Sequence, residues 1–115
     1  LLILFFNTLK TFVKENFYDT YVYFPFGVYL SIVEVTVKSQ KGTCAFGHKV
    51  GDKIVFDGKT IQGNICYSAL MVVLPKVYAM RYSAEFPWAE NKDIIYNACP
   101  DPKNPVVFEI KRLRK

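Results

Sequence analysis

Residues Ser31-Ile32-Val33-Glu34-Val35-Thr36-Val37-Lys38 put valines at 33, 35 and 37 and polar side chains at 34, 36 and 38. Side chains of an extended chain point alternately to opposite faces, so this period of two predicts a strand with one face buried and the other wet. Downstream, Gln40-Lys41-Gly42-Thr43 opens a loop carrying Cys44-Ala45-Phe46-Gly47-His48, and Val50-Gly51-Asp52 reads as a turn. Lys53 to Asp57 reads as a second strand with Ile54 and Phe56 inward, closed by Asp57-Gly58. After Gly63-Asn64, the residues Cys66, Leu70, Val73, Val77 and Met80 recur at helical spacing. Asn64 is the expected N-cap, because its side-chain oxygen can accept an unpaired amide of the first turn. Pro75 has no N–H and its ring crowds the preceding turn, so a kink or two short helices are expected, fading near Tyr82. Residues 83 to 92, with Pro87 and Trp88, read as an irregular connection. A third strand is expected at Ile94 to Ala98, a proline-rich turn at Cys99 to Pro105, and a fourth strand at Val106 to Arg112 with Phe108 and Ile110 on one side. The order predicts an α+β domain: a small four-stranded sheet in β-β-α-β-β order with a kinked helical segment packed on one face.

The chain of 115 residues fits a single domain, and its 51% hydrophobic and 22% charged composition fits a globular protein. Residues 1–30 differ in character and are expected to be an apolar N-terminal extension of doubtful nativeness, leaving the organised domain at 31–115. Leu2, Phe5, Leu9, Phe12 and Val13 fall on one helical face, which predicts an amphipathic helix packed on the domain or another chain, with interfacial membrane contact as the alternative. The opening apolar run is far shorter than the ~20 residues that span a bilayer, and it lacks the positive segment and cleavage site of a secretory signal. No methionine precedes Met71, so the start reads as a fragment, a processed end or upstream translation.

Lys10 and Lys14 cancel Glu15 and Asp19, so the whole net charge of +5 belongs to the domain. Its densest cluster, Lys111-Arg112-Leu113-Arg114-Lys115, reads as a solvated strand end and tail. No aromatic stacking platform or recognition-helix pattern accompanies it, so nucleic acid is not an expected partner.

Three cysteines and one histidine are the groups with distinctive chemistry. An odd cysteine count without a secretion signal predicts reduced thiols in the cytoplasm. A right-handed crossover through the helix would make the second and third strands parallel and bring Cys99 beside Cys66 at the helix start. Cys44 and His48 would then sit at the opposite end unless residues 39–49 fold back. Two kinds of site follow. In a metal site, zinc is the candidate ion and Cys44, His48, Cys66 and Cys99 its tetrahedral ligands, with Asp101 as a substitute oxygen ligand or as the group orienting the imidazole. In a thiol site, Cys66 in the first helical turn is the reactive group, Cys99 the resolving thiol, His48 the base and Asp101 its orienter. Burial of Cys66 in line with Leu70 and Val73 is the plain alternative.

The pattern Cys44, Gly47-His48-Lys49-Val50-Gly51-Asp52, Cys66, Pro75, Cys99-Pro100-Asp101 and Val107-Phe108-Glu109-Ile110 resembles a family of small, largely uncharacterised prokaryotic proteins. The resemblance covers residues 31 to 113 and implies a compact stand-alone domain; it supplies no catalytic residues.

No Walker sequence, dinucleotide fingerprint, His-Glu-x-x-His or nucleophile elbow is present, so several enzyme classes lack sequence support. A module binding a small ligand or a protein, with structural cysteines, is the other expectation. Tyr67, Tyr78, Tyr82, Phe86 and Trp88 would then surround a cleft between the helical region and the loop after it, most of the rings serving as core or lid.

Overall fold

The valine alternation becomes the middle strand of an antiparallel sheet. The structure, a computed structural model, describes residues 31–113; the expected N-terminal helix, Arg114 and Lys115 lie outside the described residues. Strand β1 (Ile32–Gln40) pairs on one side with β2 (Lys53–Phe56) and on the other with β5 (Val106–Leu113). Beyond β2 lies β3 (Ile61–Gln62), and beyond β5 lies β4 (Ile94–Ala98), giving the order β3-β2-β1-β5-β4. Helix α1 (Tyr67–Arg81) crosses between the two halves and covers one face.

Val33, Val35 and Val37 are fully buried under α1, as are Ile54, Phe108 and Ile110. The helix contributes Ala69, Val73, Val77 and Met80 to the same core. The opposite face stays wet: Lys53 pairs with Glu34 at 3.1 Å and Lys38 with Glu109 at 3.5 Å. One buried and one solvated face is the arrangement that produces strict alternation.

The sheet has five strands rather than four. The additional β3 is two exposed residues, too short for any period to register, and is created by its turn. Asp57 Oδ1 accepts the amides of Lys59 and Thr60, both at 2.8 Å, and its other oxygen accepts from Gln62 Nε2 at 2.9 Å. No neighbouring pair is parallel. The expected crossover fails because β4 does not join β2; it pairs with β5, which fills the place beside β1.

The helix also departs from expectation. Cys66, not Asn64, occupies the N-cap, and α1 runs through Pro75 as one continuous element. Pro75 is exposed, so its ring and the carbonyl it leaves unbonded face outward rather than into the core. The end near Tyr82 is as expected. Ser83 takes φ +69°, its N–H donates to Met80 O and that of Ala84 to Ala79 O, a Schellman closure.

Lys111 is exposed, as expected of a solvated strand end, but Arg112 departs from that reading. It is buried among the core's largest side chains. Its Nη1 donates to Met80 O and Ala84 O, both at 2.9 Å, its Nη2 to Lys92 O at 2.6 Å, and its Nε to Asp93 Oδ1 at 3.0 Å. A guanidinium here satisfies carbonyls at the C-terminus of α1, where the helix dipole favours a cation.

Replacing Arg112 by Met removes the guanidinium bonds to those carbonyls and to Asp93. The variant should lose about 3 kcal/mol of stability, read as a lower urea midpoint.

Candidate functional site

Both β1 and β4 run antiparallel to β5, so their C-terminal ends lie at the same edge of the sheet. The N-terminus of α1 lies there too, because the far end of the helix meets the start of β1: Ser31 N–H donates to Arg81 O at 3.2 Å. The loop after β1, the start of α1 and the turn after β4 therefore converge. They enclose a cleft of about 290 Å³ whose walls include Cys44, His48, Cys66, Cys99 and Asp101, with Phe46. The three thiols and the only histidine thus share one cleft, and Cys44 needs no long excursion to reach it.

Local bonds hold the walls. With its side-chain amide turned so that the nitrogen faces His48 O, Gln40 donates to that oxygen at 2.8 Å and accepts from Cys44 N–H at 3.2 Å, an orientation that satisfies both groups of the loop. Asn104 Oδ1 accepts from Thr43 N–H at 2.9 Å, and Lys41 N–H donates to Pro105 O at 3.0 Å, tying the loop to the β4–β5 turn. Gly42 sits at φ +65°, and a Cβ there would run into Asn104 Oδ1, so a glycine is required for this approach. Asp101 is spent on the turn itself, accepting from Lys103 N–H at 3.0 Å, Asn104 N–H at 3.1 Å and Asn104 Nδ2 at 3.2 Å. Those bonds hold its carboxyl below the usual aspartate range.

His48 is 2% exposed, packed against Phe46 at 4.4 Å and edge-on to Phe108 at 5.4 Å between ring centres. Its Nε2 accepts the backbone N–H of Cys66 at 3.1 Å. An amide can only donate, so Nε2 is unprotonated and the neutral ring carries its proton on Nδ1. Among the described residues, Nδ1 is the buried side-chain polar atom without a hydrogen-bond partner. The nearby carboxylate is Asp52, 3.8 Å away and bonded to Lys49 N–H at 2.9 Å. Asp52, rather than Asp101, therefore stands beside the ring. The spacing His48-x-x-x-Asp52 was the available signal, hidden because Gly51-Asp52 also makes a turn.

With its Nε2 lone pair committed, His48 positions the backbone of Cys66 and is not free to take a proton from a thiol. Cys44, Cys66 and Cys99 are free, and each is half-buried and packed against the core. Cys99 Sγ accepts from Val106 N–H at 3.3 Å, and its own N–H donates to Val106 O at 2.8 Å, closing the β4–β5 turn. Among the described residues no three His, Cys, Asp or Glu side chains are grouped so as to hold a metal ion. The four proposed zinc ligands line one cleft, yet they do not fit the close tetrahedral grouping zinc requires. No helix of the described residues is long and apolar enough to cross a membrane.

The aromatic residues are arranged differently from the sequence expectation. Phe86 packs on the core, and Lys76 Nζ lies 5.4 Å from its ring centre and 5.6 Å from that of Trp88. Tyr67, Tyr78, Tyr82 and Trp88 are exposed, neither core nor lid. A groove of about 340 Å³ lies between the C-terminal half of α1 and the β2–β3 hairpin, not between the helix and the loop after it.

No family model matches the chain, and no curated protein or solved structure matches it.

Burial holds the His48 pKa below its ordinary value, with Asp52 acting in the opposite direction. Between the folded and unfolded values the unfolded chain binds more protons, so this contribution to stability is complete above pH ~6.5 and declines as the pH falls below it. The urea midpoint should therefore drop from pH 7.5 to 5.5. His48→Gln, which keeps an acceptor for Cys66 N–H and cannot titrate, should flatten that slope.

Proposed function

We propose that this chain is a small thiol-dependent domain whose working site is the cleft between the 41–49 loop, the start of α1 and the 99–105 turn. The observation carrying the proposal is the meeting of three free, half-buried cysteines, 55 positions apart at the extremes, in one cleft with a neutral buried histidine. In this reading Cys66 is the reacting thiol, with Cys44 in the wall of the same cleft. His48 is a positioning residue for Cys66, while Cys99 and Asp101 keep the opposing turn in shape.

The chemistry available is that of a soft nucleophile in a space fit for a small molecule. A thiolate adds to an electrophilic carbon, or attacks a small-molecule disulfide to form a mixed disulfide and expel the other half as a thiolate. A reducing, cytoplasmic compartment suits three unpaired thiols. A second reading, a binding module with structural cysteines, is favoured by the bond from Val106 N–H to Cys99 Sγ.

Alkylation of the native chain by iodoacetamide at pH 8, followed residue by residue with mass spectrometry, separates the two. Cys66 should react faster than the slowest core amides exchange, and an adduct on it should slow modification of Cys44. Modification of all three only at the rate of global unfolding would overturn the thiol reading and leave the binding module.

A further inference from the structure

Helix α1 is apolar on two opposite faces, and the fold uses one of them. Ala69, Val73, Val77 and Met80 are buried against the sheet. On the far side Tyr67 is 79% exposed, Met71 73%, Tyr78 57% and Tyr82 53%, and Pro75 is exposed between them. At 3.6 residues per turn, positions 67, 71, 74, 75, 78 and 82 fall within an arc of about 100°. The polar residues of α1 lie off this stripe: Ser68, Lys76, which is folded over Phe86 and Trp88, and Arg81, whose Nη1 donates to Ser31 O at 3.3 Å. A helix that is apolar all round belongs in an interior. Among the described residues, none buries this second face.

We propose that a second copy of this chain covers the stripe, forming a two-fold dimer through antiparallel α1 helices. The spacing is self-complementary: reversed about the point between Leu74 and Pro75, position 67 meets 82, 71 meets 78 and 74 meets 75. A two-fold interface needs this property, since one patch must fit itself. The shapes are also complementary. The C-terminal half of α1 borders the 340 Å³ groove lined by Leu74, Tyr78, Tyr82 and Ile61, while the N-terminal end presents the most exposed ring, Tyr67. In the antiparallel pairing each Tyr67 lies over the other copy's groove, twice per dimer.

The area is sufficient. The three tyrosines alone leave on the order of 400 Å² open. With Met71, Pro75 and the half-exposed edge of the β2–β3 hairpin, the face approaches the roughly 800 Å² per partner of a standard stable interface. Lys76 is folded over Phe86 and Trp88, away from the stripe, while Lys59 and Arg81 border the groove, where each would face the partner's Tyr67 ring rather than a like charge. Since Tyr67 follows Cys66, the partner helix would end beside the thiol cleft. The proposal stands on the stripe and groove and does not depend on thiol chemistry.

Sedimentation velocity of the full 115-residue chain, from low micromolar concentration upward, tests it. The wild type should be a dimer. Met71→Lys and Tyr78→Lys, both at exposed positions, should keep the far-UV spectrum and raise the dimer Kd by about a hundredfold or more. Pro75→Cys, adjacent to the two-fold axis, should cross-link to its own copy under mild oxidation that leaves the wild type uncross-linked, whereas Tyr67→Cys should not. A wild type that is monomeric at every concentration, or a dimer untouched by both lysine variants, overturns the proposal. So does a monomer that binds lipid vesicles through this face, which would assign the stripe to a membrane surface.

Discussion

The buried guanidinium of Arg112 is the constraint on which the rest of the domain depends. It belongs to β5, yet it donates to carbonyls of Met80 and Ala84 at the end of α1 and of Lys92 before β4, and pairs with Asp93. One side chain thus joins the end of the helix, the connection after it and the start of the next strand. An unpaired charge at this depth would be costly, so the loop is held in the conformation that supplies every acceptor. With the end of α1 fixed at the start of β1, the start of the helix is fixed at the opposite edge of the sheet, where the cleft forms.

That edge shows how a small fold concentrates its chemistry. β5 is paired on both sides, and each neighbour runs against it, so the loop after β1 and the turn after β4 emerge together. The contacts between them are modest individually: an oxygen from Asn104, the Lys41 amide on Pro105, a glycine at Gly42 that permits close approach. Their joint effect is to place thiols from three separate segments around one space. His48 fastens this assembly from below, exchanging the ability to act as a base for a bond to the backbone of Cys66.

The core was legible along the chain wherever one face of an element is wet. Val33, Val35 and Val37 alternate because the other face of β1 meets water; α1 has no such contrast, and its helical series found the buried Val73, Val77 and Met80 but missed Ala69. Elsewhere the pattern is silent. β3 has only two residues, both exposed, and is produced by the Asp57 turn. Asn64 looks like a better cap than Cys66, but the helix begins where the His48 ring supplies an acceptor for the Cys66 amide. Arg112 reads as one more basic residue near a chain end, because nothing local announces that distant carbonyls await it. The members of the site could be listed, but Asp101 and Asp52 exchanged places, since the turn bonds that claim one and the loop that delivers the other are both three-dimensional.

By itself, the sequence determined the class of fold, the strands that carry the core and the identity of the groups with reactive chemistry. These follow from periodicity and side-chain type, which are properties of neighbouring residues. Only the tertiary structure decided that the sheet is antiparallel throughout, that all three cysteines and His48 share a cleft, and that the outer face of α1 is exposed among the described residues. Those outcomes depend on which strand fills the place beside β1, a competition among distant segments that no local pattern records.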